Sequence, residues 1–495
     1  MTNKQLINGE WRDATNGGTW DVLNPATEAV VATVPYGTAE DCDLAIAAAH
    51  RAFTDWSRKT PYERGAVLEK TAALIRAGAD GLAHTTVLES GKPLAQARGE
   101  WLAAADLFDW FAEEGKRAYG RIIPSRLPQK RLLVLKQPLG VVGLITAWNF
   151  PAWNIARAGG AALAAGCTIV IRPSEYTPLS GMAVARLLTD AGAPAGVVNL
   201  VNGDPGPMGQ AMLASPAVAK IHFTGSTRVG KLLMDGASKT VTRLSLELGG
   251  NAPVLIFPDV DLDAVVAGAT AAKFRNGGQV CVSPQRFLVS KDAAPAFTER
   301  MAAAAGALRV GDGLDPKTQV GPLINAKQRD RVEALVAGAR DSGARVAVGG
   351  ARPADRTAGY FYQPTVVSDL SPDAPLYRDE IFGPVLCVVR VPTFAAAVDL
   401  INRNSFANGV ACFTRDGGTA QAFIQKIEVG MIGINVPIPV PMAWHSFGGW
   451  KASLFGDHHI YGEEGVRFYT RYKAIMQRWP GSESKGPEFV MPVNK

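Results

Sequence analysis

An apolar strand, a polar turn and the first residue of a helix follow one another in the stretch Val141-Val142-Gly143-Leu144-Ile145-Thr146-Ala147-Trp148-Asn149-Phe150-Pro151. Beyond it, the stretches 168–171, 197–201 and 220–223 predict three more strands, with helix-like patterns between them. A regular alternation of strand and helix predicts a parallel sheet with crossover helices, which is a doubly wound nucleotide-binding architecture. Because ligands of such sheets bind at the carboxyl ends of the strands, we expect functional residues directly after the strands.

The rest of the chain adds a second region of the same kind and a smaller element. Further apolar runs between residues 253 and 435 alternate with helical patterns and predict a second α/β domain. Residues 120–138 read as two strands around a proline-containing turn. Such a hairpin can pair with another subunit through its free edge, or it can be an internal edge hairpin. We therefore predict a Rossmann-like nucleotide-binding domain at 1–119 and 139–248, a second α/β domain at 249–445, oligomerisation strands at 120–138 and 465–478, and a polar tail at 480–495.

The composition argues against several classes of protein. Hydrophobic residues make up 47% and charged residues 19% of the 495 residues, a balance that allows large globular cores. The net charge of +6 is not gathered into basic runs with interleaved aromatic residues, which argues against nucleic acid as a partner. The five cysteines are widely spaced and form no CxxC pair, which favours a reducing compartment over disulfides or a zinc site. Because the amino terminus lacks a signal-peptide core and no apolar run could cross a bilayer, we expect a cytoplasmic protein without a membrane partner. The adjacent His458 and His459 would point apart in a strand, so we predict no metal site.

A cysteine follows a glycine pair in the stretch Phe274-Arg275-Asn276-Gly277-Gly278-Gln279-Val280-Cys281. A thiolate held on such a tight turn could attack an electrophilic carbon. The alternative, a small buried hydrophobic side chain, fits Cys167 and Cys387 better because these two lie within apolar strands. Glu247 ends another apolar run before a second glycine pair. It is either a general base that activates water or an ordinary carboxylate at the end of a strand.

Polar residues follow three strands of the predicted parallel sheet. Asn149 is either a turn residue before a helix that starts with proline or an amide that donates to an oxyanion. The stretch Phe223-Thr224-Gly225-Ser226-Thr227-Arg228-Val229-Gly230 follows a strand and opens a helix, where backbone amides can bind a pyrophosphate. Glu175 ends the stretch Ile171-Arg172-Pro173-Ser174-Glu175, where a carboxylate can accept hydrogen bonds from an adenosine ribose.

Five motifs together resemble those of the aldehyde dehydrogenase superfamily, and the resemblance runs from Asn8 to about Tyr472. The motifs are Trp148-Asn149-Phe150-Pro151, Phe223-Thr224-Gly225-Ser226, Glu247-Leu248-Gly249-Gly250, Gly278-Gln279-Val280-Cys281 and Glu380-Ile381-Phe382-Gly383-Pro384. The resemblance implies that Cys281 is the nucleophile, Asn149 the oxyanion donor and Glu247 the general base. An aldehyde would be oxidised to a carboxylic acid through a thiohemiacetal and a thioester. It also implies a dimer or a tetramer and a bound NAD(P) held by Thr146, Trp148, Arg172, Ser174, Glu175, Gly225, Ser226, Glu380 and Phe382.

Two features depart from the usual pattern of the superfamily. Arg172 stands where lysine is usual; its charge could attract a 2′-phosphate, whereas Glu175 repels one. We therefore predict that NAD is preferred and that NADP can also be used. The segments 435–441 and 456–462 are similar to CoA-acylating methylmalonate-semialdehyde dehydrogenases, but those enzymes lack the base glutamate. Since Glu247 is present, hydrolysis of the thioester is predicted over transfer to CoA.

The substrate is suggested by two arginines. Arg157 and Arg275 match the arginines that bind the substrate carboxylate in succinate-semialdehyde dehydrogenases, which implies a small anionic semialdehyde. The alternative is salt bridging on helix surfaces. Segments 105–126 and 274–289 are also similar to α-ketoglutaric-semialdehyde dehydrogenases, and a sulfonated aldehyde such as sulfolactaldehyde would suit the same arginines. His445 and Trp444 could contact the substrate or pack within their loop. A non-catalytic NAD-binding protein is the alternative outside enzyme chemistry.

Overall fold

Two large sheets organise the protein, whose computed structural model describes residues 3–440 and 442–479. The predicted tail at 480–495 lies outside the described residues. In chain order the strands are β1 (Gln5–Ile7), β2 (Glu10–Arg12), β3 (Thr19–Leu23), β4 (Val30–Pro35), β5 (Arg121–Ile123), β6 (Lys130–Pro138), β7 (Val141–Ile145), β8 (Thr168–Arg172), β9 (Val198–Leu200), β10 (Val218–Thr224), β11 (Arg243–Glu247), β12 (Ala252–Ile256), β13 (Pro284–Ser290), β14 (Arg345–Val348), β15 (Thr365–Ser368), β16 (Val385–Val391), β17 (Phe406–Ala407), β18 (Gly409–Phe413), β19 (Met431–Ile434), β20 (Trp450–Lys451), β21 (Leu454–Phe455) and β22 (Thr470–Arg478). The α-helices are α1 (Ala39–Trp56), α2 (Pro61–Ser90), α3 (Leu94–Glu114), α4 (Pro151–Ala165), α5 (Pro178–Asp190), α6 (Pro205–Ala214), α7 (Thr227–Ser238), α8 (Leu262–Phe274), α9 (Ala294–Gly306), α10 (Ala326–Asp341), α11 (Pro375–Arg378), α12 (Phe394–Asn402), α13 (Gly417–Lys426) and α14 (Gly462–Arg467).

The first large sheet has the strand order β2-β1-β9-β8-β7-β10-β11-β21. Strands β9, β8, β7, β10 and β11 run parallel, and antiparallel strands close both edges. This confirms the predicted doubly wound sheet. On β7, Val142 and Leu144 face the core formed with α2, α3, α4 and α5, whereas Val141 and Ile145 face the core formed with α1, α6 and α7. Helices on both faces explain why this strand is apolar throughout.

The second large sheet has the strand order β14-β15-β16-β13-β12-β18-β19 and confirms the predicted second α/β region. All of its neighbouring strands are parallel except the edge pair β14 and β15. These two strands were not predicted, because β14 is half exposed and lacks a continuous apolar run. Strand β13 begins three residues after Cys281, which places that cysteine at one end of this sheet.

A third sheet is formed by β5, β6 and β22. The predicted strand pair within 120–138 is present as antiparallel β5 and β6, and β22 pairs with the other side of β6. The prediction of a strand over 465–478 is wrong at its start, where α14 extends to Arg467 and β22 begins at Thr470. Val466 and Tyr469 are both buried and lie three residues apart, which is a helical spacing.

Two searches of the described residues complete the picture. Within residues 3–440 and 442–479, no helix combines the length and the apolar character needed to cross a membrane. The same residues contain no group of three or more histidine, cysteine, aspartate or glutamate side chains placed to hold a metal ion.

Candidate active site

A cavity of about 510 Å³ lies between the two large sheets. The carboxyl ends of β7, β10 and β11 reach it from the first sheet, as expected for a doubly wound fold. The residues before β13 reach it from the other side. Among the predicted site residues, those that line the cavity are Trp148, Asn149, Arg157, Gly225, Ser226, Glu247, Arg275, Cys281, Glu380 and Phe382.

A buried ion pair holds the backbone at Asn149 and the start of α4. Helix α4 has no side-chain cap of its own, and Oε1 of Glu100 accepts hydrogen bonds from the backbone N–H groups of Ala152 (2.9 Å) and Trp153 (3.3 Å). Lys92 pairs with Glu100 and also donates to the Asn149 carbonyl oxygen at 2.7 Å. Neither side chain of the pair is exposed. Because both members of this buried pair are hydrogen-bonded, they hold the backbone of Asn149, and with it the position of its side chain, in place.

The turn before Cys281 has an unusual backbone. Asn276, Gly277 and Gly278 have φ values of 50°, 61° and 74°. A Cβ at Gly278 would lie 2.1 Å from the Gly383 carbonyl oxygen, so only glycine fits there. Nδ2 of Asn149 donates to the Gln279 carbonyl oxygen at 3.1 Å, which ties the two loops together.

Cys281 is the cysteine that reaches the cavity. Its residue is half-buried, whereas Cys42, Cys167, Cys387 and Cys412 are fully buried. The pKa of the Cys281 thiol is raised to about 12, chiefly by burial; Arg157 lowers it in part, and the Glu247 and Glu380 carboxylates contribute to the rise. The thiol therefore needs a base or a positive charge before it can act as a nucleophile.

Glu247 is a buried carboxyl group with a free oxygen. It ends β11 and is 4% exposed, and its Oε1 has no hydrogen-bond partner. Burial raises the pKa of Glu247 to about 7, and the charge of Arg157 lowers it in part. A carboxylate with this pKa can exchange a proton near neutral pH, as a general base must.

The two arginines stand around an aromatic cluster formed by Phe150, Trp153, Phe447 and Tyr461. The guanidinium of Arg157 lies 5.5 Å from the Phe447 ring centre, and that of Arg275 lies 5.4 Å from the Phe150 ring centre. Arg157 is 5% exposed and Arg275 is half-buried. Neither makes an ion pair with a carboxylate of residues 3–440 and 442–479, so salt bridging on a helix surface does not explain them.

The opposite end of the cavity presents groups suited to a nicotinamide riboside. Oε1 of Glu380 accepts from the Gly250 backbone N–H at 2.9 Å, and Oε2 has no partner among the residues described. Burial raises the pKa of Glu380 to about 7. Trp148 and Phe382 meet edge to face at 5.4 Å, and Ser226 caps the amino end of α7 beside them.

The other four residues predicted to bind the cofactor lie outside the cavity lining. Arg172 is buried and bonded to the Glu175 carboxylate at 2.8 Å and to the Gly203 carbonyl oxygen at 2.7 Å. Ser174 accepts from the Tyr176 backbone N–H, and the buried Thr146 hydroxyl has no partner. They follow β7 and β8, at the same edge of the sheet as Ser226.

His445 is not brought to the cavity. Its side chain is exposed, and so is that of Trp444. The cavity instead contains aromatic side chains that sequence reasoning missed, among them Trp153, Phe406, Phe447 and Tyr461. Two of them come from the C-terminal segment, which pairs β21 with β11 beside Glu247. No local signal indicates this pairing, because β21 is only two residues long.

Comparisons with known proteins agree with this geometry. The family model described as "Aldehyde dehydrogenase family" matches residues 11–475. The NADP⁺ succinate-semialdehyde dehydrogenase of Escherichia coli is 44% identical over 91% of this chain and 93% of its own length. A glutarate-semialdehyde dehydrogenase of Pseudomonas putida is 43% identical over the same shares of the two chains. The crystal structure of a succinate-semialdehyde dehydrogenase from Burkholderia pseudomallei is 41% identical and superposes with a TM-score of 0.94 over 97% of this chain and 98% of that one. That of a betaine aldehyde dehydrogenase from Staphylococcus aureus with NAD⁺ is 34% identical, with a TM-score of 0.93 over 96% and 94%.

Proposed function

The chain belongs to the aldehyde dehydrogenase family and is an oxidoreductase that acts on aldehydes with NAD or NADP, and we propose that its substrate is a small aldehyde with a terminal carboxylate, such as succinate semialdehyde. The relatives named for succinate and glutarate semialdehydes support this choice. The transfer of the acyl group to CoA and a non-catalytic role are not favoured by these relatives.

One observation carries the proposal: two guanidiniums line the cavity without a carboxylate partner. Arg157 projects from α4, and Arg275 immediately follows α8 on the approach to Cys281. A buried charge without a counter-charge is costly, so a ligand that supplies the negative charge is the simplest compensation. A planar guanidinium matches a carboxylate through two parallel hydrogen bonds.

The chemistry that we propose begins at Cys281. The thiol first gives its proton to water; its sulfur then forms a bond to the aldehyde carbon, while the carbonyl π electrons move to the oxygen. The amide Nδ2 of Asn149 donates to that oxygen, since it is held next to the Cys281 turn. When the carbonyl re-forms, the carbon releases hydride and a thioester remains. Glu247 then takes a proton from water, which attacks the thioester and releases the acid and the Cys281 thiolate.

The residues at the other end of the cavity fit a dinucleotide. The free oxygen of Glu380 can accept from ribose hydroxyls, and the amino-terminal N–H groups of α7 after Ser226 can bind a phosphate. Trp148 and Phe382 would flank the nicotinamide. NAD(P)⁺, when bound, accepts the hydride that leaves the substrate.

We also propose that β5, β6 and β22 form a subunit interface and that the enzyme works in the cytoplasm as a dimer or a tetramer. Ile122, Tyr472 and Met476 on these strands are 80%, 66% and 67% exposed, and exposed apolar side chains at a sheet edge favour association. All five cysteines are free, which suits a reducing compartment. Light scattering on the purified protein would give the number of subunits.

The anion site is tested by comparing succinate semialdehyde with butanal, an uncharged aldehyde of equal length. We expect Arg157→Gln and Arg275→Gln each to lower kcat/KM for the acid roughly 100-fold, because the substrate carboxylate loses a buried partner. Activity with butanal should stay within a few-fold in Arg275→Gln, and with the acid Arg157→Lys should fall in between because lysine keeps the charge without the planar pair of donors. Equal kcat/KM values for the two aldehydes in the unmodified enzyme would contradict the proposed substrate.

A further inference from the structure

Tyr461 lines the cavity, and neither the proposed chemistry nor the packing of the fold uses its hydroxyl group. It lies just before α14 and is 1% exposed. Its ring packs on Trp153 at 6.3 Å and on Phe447 at 5.1 Å. These contacts belong to the ring, so a phenylalanine would make them equally well.

The hydroxyl of Tyr461 has no hydrogen-bond partner of regular geometry. The charges of Arg157, Glu247 and Cys281 all act on it, and Tyr461 in turn acts on Arg275. The hydroxyl is therefore within electrostatic reach of both arginines, and all three residues line the cavity. A guanidinium offers only donors, so neither arginine can accept the hydroxyl proton.

Burial raises the pKa of Tyr461, so the hydroxyl keeps its proton at neutral pH. A buried donor without an acceptor destabilises a protein, and native structures rarely keep one without a reason. The nearby indole Nε1 of Trp153 is also buried without a partner. The Tyr461 hydroxyl and the Trp153 indole N–H are thus two donors of this wall without acceptors, and an oxygen-rich anion would supply them.

We propose that the Tyr461 hydroxyl is a third donor of the anion site and sets the preference for acidic aldehydes together with Arg157 and Arg275. The inference rests on the proposed function, because it names a further residue that contacts the same carboxylate. Two carboxylate oxygens offer about four lone-pair positions, enough for two guanidiniums and one hydroxyl.

The test uses Tyr461→Phe, with Tyr469→Phe as the matched control. Tyr469 is also 1% exposed and has an unpartnered hydroxyl, but it does not line the cavity. We expect Tyr461→Phe to lower kcat/KM for succinate semialdehyde about tenfold, mainly through KM, because one hydrogen bond to a charged group is lost. Its kcat/KM for butanal should stay within about twofold, while Tyr469→Phe should leave both values unchanged.

Thermal unfolding without substrate gives a second readout. Because the hydroxyl proton has no acceptor among the described residues, Tyr461→Phe should unfold at the same temperature as the unmodified enzyme or higher. An equal loss with both aldehydes would overturn the inference and assign the hydroxyl to Glu247 or Cys281, and so would an unchanged preference in Tyr461→Phe. Failure of the proposed function is seen separately, as a missing preference in the unmodified enzyme.

Discussion

Nη2 of Arg157 donates a hydrogen bond to the Thr224 hydroxyl oxygen at 2.7 Å. Thr224 Oγ1 lies 3.3 Å from Nε2 of His222, whose Nδ1 lies 3.1 Å from the Ser245 hydroxyl. Burial lowers the pKa of His222 well below its usual range, and Arg157 and Lys220 add to the effect, so the imidazole is neutral. Thr224 can then donate to Nε2 while Nδ1–H donates to Ser245. This hydrogen-bonded row anchors the guanidinium to β10 and β11.

The anchor gives a prediction for Thr224→Val, a change that keeps the shape and removes the acceptor of Arg157. We expect kcat/KM for succinate semialdehyde to fall about tenfold, because a buried N–H of the guanidinium loses its partner and the arginine is no longer held in place. Thr224→Ser keeps the hydroxyl and should restore most of the activity. If the serine variant is as poor as the valine variant, the hydrogen bond to Arg157 is not what matters.

Cys281 should be the thiol that modification and mutation both identify. We expect Cys281→Ala to lose dehydrogenase activity by at least about 10³-fold, because no other thiol is among the described residues that line the cavity. Cys412→Ala, at a fully buried position outside the cavity, should stay active.

Alkylation of the folded enzyme should also separate Cys281 from the fully buried cysteines. Iodoacetamide should label one peptide, and the rate should keep rising up to pH 10, because burial raises the pKa of Cys281 to about 12. Mass spectrometry identifies the peptide, and labelling of any other cysteine would contradict this assignment.

The pH dependence of turnover should report Glu247. Since burial raises the pKa of Glu247 to about 7, the carboxylate that activates water is lost as the pH falls below 7, and hydrolysis of the thioester should slow accordingly. Glu247→Gln should release about one NADH per subunit in a fast burst and then turn over roughly 10²–10⁴-fold more slowly. Stopped-flow absorbance measures both phases, and the absence of a burst would place Glu247 before hydride transfer.

The Glu247 carboxyl group should also make the free energy of unfolding depend on pH, and this stability should fall, not rise, as the pH increases. Its pKa is higher in the folded protein, about 7, than the ordinary value of 4.5, so folding favours the protonated form. The stability that this proton gives is complete below pH 4.5 and is lost as the pH rises through 7. Glu247→Gln has no proton to lose and should be more stable than the unmodified enzyme at pH 8 by roughly 3 kcal/mol, with little difference at pH 5. Thermal unfolding at both pH values decides it; Glu380, present in both proteins, cancels in the comparison.

Local sequence patterns were sufficient to predict the central strands of the first sheet and the turn before Cys281. The strands β7 and β8 are rich in apolar residues because helices cover both faces of the first sheet, whereas β10 also carries the buried Lys220 and His222. The turn at Gly278 was visible because glycine is needed where the backbone approaches Gly383. Together with the resemblance of the motifs to aldehyde dehydrogenases, these features led us to expect Cys281 and Glu247 in one site.

The missed residues depend on contacts between distant segments. Tyr461 and Phe447 reach the cavity because β21 pairs with β11, more than 200 residues earlier in the chain, over two residues only. Such a short pairing leaves no periodicity to detect. The exposure of His445 is set by the same long-range arrangement, and the similarity of this loop to another subfamily did not reveal which of its side chains turn inward.

The choice between NAD and NADP should depend on Glu175. Its carboxylate bonds Arg172 at 2.8 Å, and the arginine is further tied to the Gly203 carbonyl oxygen, so its charge is already compensated. Burial raises the pKa of Tyr36, the Glu175 and Asp204 carboxylates add to the effect and Arg172 opposes it, so both carboxylates face this corner beside the arginine. A 2′-phosphate would be repelled there, and we expect the unmodified enzyme to prefer NAD⁺.

Glu175→Gln releases the arginine and should raise kcat/KM with NADP⁺ about tenfold while lowering that with NAD⁺. Asp204→Asn makes the same change of charge without touching Arg172 and still caps α6, so its effect should be much smaller. Steady-state kcat/KM values with NAD⁺ and NADP⁺ test this prediction for both variants. Equal effects of the two variants would mean that only the net charge matters and that the Arg172–Glu175 pair does not select between the two cofactors.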